Sequence, residues 1–350
     1  MRPKVLLDPH WRRMEELFAP DVLADLKQFC DLTWARDAPM PETDRRAALA
    51  QAQVLIATMP QVTRAVLEEA PALKLVIETE GAFPDTIDYE ACAERGIEVL
   101  SCAPGFRQAV AEMGLAMALS GARGLVAEHE AMRQGQGGWL EDQVDRDFTL
   151  YGSDIGFVGF GQIAQELTRL LAPFRPRIRA YDPWLPKGVA REHGVDLVSL
   201  DEVMALSQTL FVAAAPTTEN RHMLGAARLA LMPRGAHLVL LSRAHLVDFE
   251  ALSEAVAGER IKASVDVYPE EPMAASDPFR KLPGLILSPH RAAAVAGGRQ
   301  LIGEMIRDDL RAWRDGSPTR RLTRADPDKI TALAGLGDAS QTGQMAVKRS

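Results

Sequence analysis

Cysteine is scarce in this chain: Cys30, Cys92 and Cys102 are the only three among 350 residues, and none stands in CxxC spacing. A disulfide framework is therefore not expected, and neither is a bound metal. Long apolar runs are missing as well, and none approaches the about 20 residues needed to span a bilayer. The opening MRPKVLLDPHWRRMEELF holds an apolar run of only three residues, too short for a signal peptide. Positive charge is in deficit, with 40 Lys and Arg against 48 Asp and Glu for a net charge of −8. No basic face is evident that would neutralise phosphates, so nucleic acid is not an expected partner. What these absences leave is a soluble, cytoplasmic, globular protein. Its 47% hydrophobic content over 350 residues is enough for two domains with cores of their own.

What is present is alternation. Short aliphatic runs at residues 4–7, 54–57, 73–77 and 97–100 are separated by helical patterns such as 45–53 and 63–70. A second series begins at Asp154, with strand candidates at 155–159, 178–181, 209–213, 236–241, 261–265 and 285–287. Helices are expected between them at 162–171, 200–206, 226–231 and 249–257. Strands apolar throughout and separated by helices predict parallel sheets covered on both faces, an α/β fold with two domains. One helix over 109–134, closed by Gly135, Gly137 and Gly138, would join the two series. An amphipathic helix over 297–315 would cross back to the first domain, and residues 319–350 read as a mobile tail or peripheral attachment.

The run IGFVGFGQIAQEL places Gly159, Gly161, Gln162, Ile163 and Ala164 as a GxGxxA between a predicted strand and a predicted helix. Such a loop lets a pyrophosphate approach the backbone at a helix N-terminus, whose free N–H groups favour negative charge. The next predicted strand ends in Asp182, 21 residues after Gly161, where a dinucleotide site needs a carboxylate for the ribose hydroxyls. A carboxylate there repels a 2′-phosphate, so the expected cofactor is NAD.

In an open parallel sheet, ligands bind beyond the carboxyl ends of the strands. Three such ends carry Ser242 and Arg243, then Asp266 with Glu270 and Glu271 beyond a turn, then His290 after Ser288 and Pro289. Each has a bland reading alone. Together an arginine, a carboxylate and a histidine suit hydride transfer to a 2-oxo acid: Arg243 holding the substrate carboxylate, His290 as acid, and a carboxylate keeping His290 protonated.

From about residue 4 to 315 the chain resembles the D-isomer-specific 2-hydroxyacid dehydrogenase family. The segments 156–164, Tyr181-Asp182-Pro183, APTTEN at 215–220, LVLLSRAHLVDFEAL at 238–252, VDVYPEEP and SPH follow the family's motifs in order. The resemblance implies two Rossmann-like doubly wound parallel-sheet domains, with a substrate domain split between the chain ends. The split falls as residues 1–103 and 292–318 for substrate, 104–291 for NAD, and 319–350 as the tail. It also implies a homodimer built through the NAD-binding domain. Arg243, Glu271 and His290 become the catalytic residues. Pro216 and Ser242 join Gly159, Gly161, Gln162, Ile163 and Asp182 around the cofactor, with Asp266 on the nicotinamide carboxamide. Gly81, Ala82, Phe83 and Arg243 would bind substrate.

The substrate loop departs from the family's GxGxD, reading Gly81-Ala82-Phe83-Pro84-Asp85, so the pocket wall is bulkier. Phosphoglycerate-type members often carry an arginine where this chain has Thr79, flanked by Glu78 and Glu80. Two carboxylates would receive a phosphate poorly, although Arg107 or Arg291 could compensate. His245 and Ala244 replace the usual glycines after Arg243, and His245 is read as a packing variant. The expected activity is NAD-dependent interconversion of a small 2-oxo acid, such as glyoxylate or hydroxypyruvate, with its D-2-hydroxy acid. A phosphoglycerate dehydrogenase is the enzymatic alternative, and an NADH-sensing, corepressor-like binding protein is the alternative of another class. Formate oxidation is disfavoured, because that branch uses glutamine where Glu271 stands.

Overall fold

Five short parallel strands build the first sheet: β1 (Lys4–Asp8), β2 (Asp31–Trp34), β3 (Val54–Ala57), β4 (Leu75–Glu78) and β5 (Glu98–Ser101). They are seen in a computed structural model that describes residues 2–141, 146–326 and 330. The chain divides into two units, one of Met1–Arg107 with the residues from Ala294 onward, the other Gln108–Ala293.

In the first unit the strand order is β5-β4-β3-β1-β2, with Val5 beside Val54 and Val54 beside Leu75. The order reverses direction between β1 and β3, the switch point of a doubly wound sheet. Side chains alternate between two buried faces, as a period of two requires. Val5, Leu7, Val54, Ile56, Leu75 and Ile77 belong to one apolar cluster, while Leu6, Leu55 and Val76 belong to another. Ile302, Met305, Ile306 and Leu310 of the helix Gln300–Arg314 cover the first face, at the 3- and 4-residue spacing of one helix stripe. The stretch read as a tail begins as structure: Thr323–Arg324 adds an antiparallel edge to β5. Glu98 holds it there, accepting from Arg320 and from Arg324, each at 2.8 Å. Residues 327–329 and 331–350 of that stretch lie outside the described residues.

The second unit carries β6 (Asp154–Val158), β7 (Arg177–Tyr181), β8 (Asp196–Leu197), β9 (Thr209–Val212), β10 (His237–Leu240), β11 (Lys262–Val265) and β12 (Leu285–Leu287). All pair in parallel, in the order β12-β11-β10-β9-β6-β7-β8. Here the order reverses between β6 and β9. Phe157 of β6 and Phe211 of β9 stack at 5.2 Å on one face, while Val158, Val212 and Leu240 face the other cluster.

The single helix expected over 109–134 is two, Arg107–Ala122 and Leu125–Arg133, bent by 62°. Gly124 is the cause, since its φ of +59° caps one helix and starts the next where a side chain would be strained. No single helix among the described residues is long and apolar enough to cross a membrane.

Candidate active site

The glycine loop leaves β6 at the reversal point of the second sheet, where a crevice opens between diverging crossovers. Gly159 has φ +85°, and a Cβ there would stand 2.4 Å from the Ala214 backbone. Glycine is therefore required at 159 by the fold itself. Gly161 differs: a Cβ there would meet nothing within 4 Å. That open space lies at the start of the helix Gln162–Leu171, which has no side-chain cap. The first-turn N–H groups of Gln162 and Ile163 and the helix dipole thus face a cradle with room for a pyrophosphate.

Asp182, just past the end of β7, closes the loop from the side. Its Oδ2 accepts the Phe160 N–H at 2.8 Å and its Oδ1 accepts the Trp184 N–H at 3.0 Å. The carboxylate expected for the ribose is thereby fixed against the glycine loop. Beyond β9, Asn220 ties its own loop, accepting from Thr217 N–H at 2.8 Å and donating to Ala215 O at 2.9 Å around Pro216. His245 Nε2 lies 2.8 Å from Thr217 O, a packing contact between neighbouring loops. The hydroxyls of Thr217 and Ser242 are buried and have no hydrogen-bond partner. Buried hydroxyls without partners cost stability, so two of them at this edge fit a site completed by a polar ligand. A dinucleotide fits the residues present.

The adjacent strands β10, β11 and β12 end side by side and deliver the polar set. Arg243 lies two residues past Leu241, donates to Ser242 O at 2.8 Å, and remains reachable by solvent. The chain crowded around it lowers its pKa by desolvation, and the charge of Glu271 partly offsets this. Nδ1 of His290 lies 2.6 Å from Oε2 of Glu271. The other oxygen of Glu271 accepts the Tyr268 N–H at 2.9 Å. Burial pushes the Glu271 pKa upward, but His290, the Tyr268 N–H and Arg243 outweigh it and hold the carboxyl below its ordinary range. The spacing alone could not show this pairing, because 19 residues and a strand separate the two.

His290 has φ +51°, a left-handed conformation that costs a non-glycine residue about 1–2 kcal/mol. Asp266 enforces it. This aspartate is 1% exposed, and its carboxylate accepts the Ser288 hydroxyl, the Arg291 N–H at 2.9 Å and the Ala292 N–H at 3.1 Å. Asp266 therefore grips the chain on both sides of His290 and aims its ring.

The substrate loop belongs to the first unit. Gly81 has φ +77°, and a Cβ there would meet the Phe106 ring at 2.8 Å. Phe83 packs edge-on against Tyr89, whose hydroxyl donates to Pro84 O at 2.8 Å. Ala82 N–H is already taken, donating to Glu78 Oε2 at 3.0 Å. Glu78 is fully buried, and Glu80 is bound through both oxygens by Arg12. Neither carboxylate is thus a bare charge at the loop surface, which removes the electrostatic argument against a phosphorylated substrate. Arg107, considered as a compensating cation, donates to Pro104 O at 3.1 Å.

Two histidines separate by environment. His237, in β10, is fully buried with Nε2 2.8 Å from Ser264 Oγ, and burial with the charge of Lys262 drives its pKa down to about 3. It is a neutral core residue beneath the small Gly121, on whose missing Cβ its ring sits. His290 is the one whose side chain stays 40% exposed.

Residues 115–292, just over half of the chain, match the family model described as "D-isomer specific 2-hydroxyacid dehydrogenase, NAD binding domain". A D-3-phosphoglycerate dehydrogenase of Methanocaldococcus jannaschii is 32% identical over 72% of this chain and 47% of its own length. A glyoxylate reductase of Korarchaeum cryptofilum is 30% identical over 76% of this chain and 80% of its own. The chain spans about half the length of the phosphoglycerate dehydrogenases it matches. Among solved structures, a phosphoglycerate oxidoreductase from Rhizobium etli superposes with a TM-score of 0.82 at 36% identity, covering 93% of this chain and 99% of that one. The chain belongs to the D-isomer specific 2-hydroxyacid dehydrogenase family.

Proposed function

We propose that the protein is an NAD-dependent oxidoreductase that interconverts a small 2-oxo acid, of the glyoxylate or hydroxypyruvate kind, with its D-2-hydroxy acid. The observation that carries this reading is the 2.6 Å pair of His290 and Glu271 on the same sheet edge as Arg243 and the glycine loop. When bound, the nicotinamide supplies the hydride. Gly159 and Gly161 admit the pyrophosphate, Asp182 receives the ribose hydroxyls and disfavours a 2′-phosphate, and Ser242 offers an unused hydroxyl. Arg243 binds the substrate carboxylate and polarises the carbonyl. His290 donates a proton from Nε2 to the carbonyl oxygen, while Glu271 on Nδ1 stabilises the imidazolium. Asp266 keeps the ring in place.

A phosphoglycerate-type activity is the second reading. It is favoured by the phosphoglycerate names among the relatives and by Glu78 and Glu80 being internally engaged. We also propose a cytoplasmic homodimer formed through the NAD-binding unit. Leu125, Val126 and Met132 of the second helix and the nearby Trp139 and Leu140 are exposed apolar residues that a partner copy would cover. The three cysteines are unpaired, which suits a reducing compartment.

The deciding assay is loss of NADH and NADPH absorbance with glyoxylate, hydroxypyruvate, pyruvate and phosphohydroxypyruvate. Fast turnover of an unphosphorylated acid with NADH supports the first reading, and a preference for phosphohydroxypyruvate the second. Tight NADH binding without turnover of any of them would overturn both in favour of an NADH-sensing protein.

A further inference from the structure

The loop at residues 80–83 lies just past β4, whose last residue is Glu78. Apolar strands of this kind end at solvent, yet Glu78 is 0% exposed. Its carboxylate is surrounded by backbone N–H groups rather than cations. Oε1 accepts from Glu80 N–H at 2.7 Å and Oε2 accepts from Ala82 N–H at 3.0 Å. The charged and titratable groups that face it are Glu80 with its partner Arg12, Tyr89 and Cys102. Thr58 and Thr79, hydroxyl to hydroxyl at 2.9 Å, fill the adjoining space.

A loop that turns every second N–H inward to one carboxylate must turn the alternate ones away from it. Among the described residues the N–H groups of Gly81 and Phe83 have no partner. The loop is thus sorted into an inner pair, residues 80 and 82, and an available pair, residues 81 and 83. Ala82, one of the residues expected to bind substrate, contributes its conformation and not its N–H.

We propose that Glu78 is a positioning residue: an internal carboxyl group that templates the substrate loop and leaves the Gly81 and Phe83 N–H groups as its anion donors. This rests on reading the loop as the grip on a substrate carboxylate. Glu78 itself touches no substrate. Replacing its carboxylate by an amide keeps the volume but sets an NH2 group against a backbone N–H, so the template fails at one of its contacts.

Amide hydrogen exchange resolved by residue tests this on the unaltered protein. The Glu80 and Ala82 amides should exchange at least tenfold more slowly than those of Gly81 and Phe83. Ala82 exchanging as fast as its neighbours would overturn the proposal. In Glu78→Gln, protection at 80 or 82 should fall by at least tenfold, and KM for the oxo acid should rise tenfold or more. The variant's kcat should stay within about threefold and its NADH dissociation constant should stay unchanged. Unchanged exchange and KM in a folded variant would refute the positioning role. If the unaltered protein turns over no 2-oxo acid, the functional reading falls, and the exchange pattern still decides what Glu78 does. A variant that does not fold leaves the decision to the exchange pattern of the unaltered protein.

Discussion

Nδ1 of His290 stands 2.6 Å from Oε2 of Glu271, while the second oxygen of that carboxylate is held by the Tyr268 N–H at 2.9 Å. The carboxylate is fixed from one side and the ring is fixed by the carboxylate, so Nε2 has a defined direction. Glu271→Gln should keep the geometry and remove the charge. Without the anion the protonated ring loses its partner at Nδ1, so oxo-acid reduction should fall about 10²-fold. His290→Ala should cost about 10²–10⁴-fold in kcat with NADH still bound. Steady-state kinetics across pH for both variants, beside NADH fluorescence titration, check this. A Glu271→Gln profile superimposable on the parent would remove the pair from the mechanism.

Two glycines in one loop should respond in opposite ways. Gly159→Ala forces a side chain into a φ of +85° and against the Ala214 backbone at 2.4 Å, so the second unit should lose on the order of 2 kcal/mol or more. Gly161→Ala meets nothing within 4 Å and should melt within a few degrees of the parent. Its methyl group would nonetheless stand in the cradle, raising the NADH dissociation constant about tenfold or more. Thermal melts beside fluorescence titrations separate these. A Gly161→Ala protein that binds NADH normally would place the pyrophosphate elsewhere.

How the strand-end residues were legible while others were not follows from the physics of each. Leu238, Val239 and Leu240 announce a buried strand, so the polar Ser242 and Arg243 beyond it stand out, and likewise His290 after Leu285–Leu287. β2 gives no such signal. Its Asp31, Leu32, Thr33 and Trp34 form a half-exposed edge whose alternation is too short to register. Gly124 sits inside a helical pattern that reads through it, and only its backbone conformation shows the 62° bend. Glu78 was visible as a neighbour of the substrate loop. That it points inward depends on the N–H groups of Glu80 and Ala82 turning back onto it, which the sequence does not show.

Asp182 serves two structural purposes at once, and its replacement should show both. It holds the Phe160 N–H of the glycine loop at 2.8 Å and that of Trp184 at 3.0 Å. Asp182→Ser removes the negative charge that disfavours a 2′-phosphate, so the preference for NADH over NADPH should drop about tenfold or more. NADH itself should bind several-fold more weakly, because the Phe160 N–H loses a charged acceptor. Dissociation constants for both cofactors measure the two effects separately. An unaltered ratio would mean that the ribose is recognised by another group.

Stability against pH reports the charge state of Glu78. Burial, with a smaller contribution from Glu80, pushes its pKa from the ordinary 4.5 up to about 8, against the opposing backbone N–H groups. Between those values the folded chain holds a proton that the unfolded chain has released. Stability therefore falls as pH rises through that window, by on the order of 1 kcal/mol per pH unit, and levels off above about 8. Glu78→Gln does not titrate. Its melting temperature relative to the parent should be lowest near pH 5 and should climb steadily toward pH 8, where the gap narrows or reverses. The tryptophans Trp11, Trp34 and Trp313 lie in the same unit and give the melt a local fluorescence signal. A difference constant with pH would mean that the Glu80 and Ala82 N–H groups suffice to keep Glu78 ionised, making the loop's template a full negative charge instead of a neutral carboxyl.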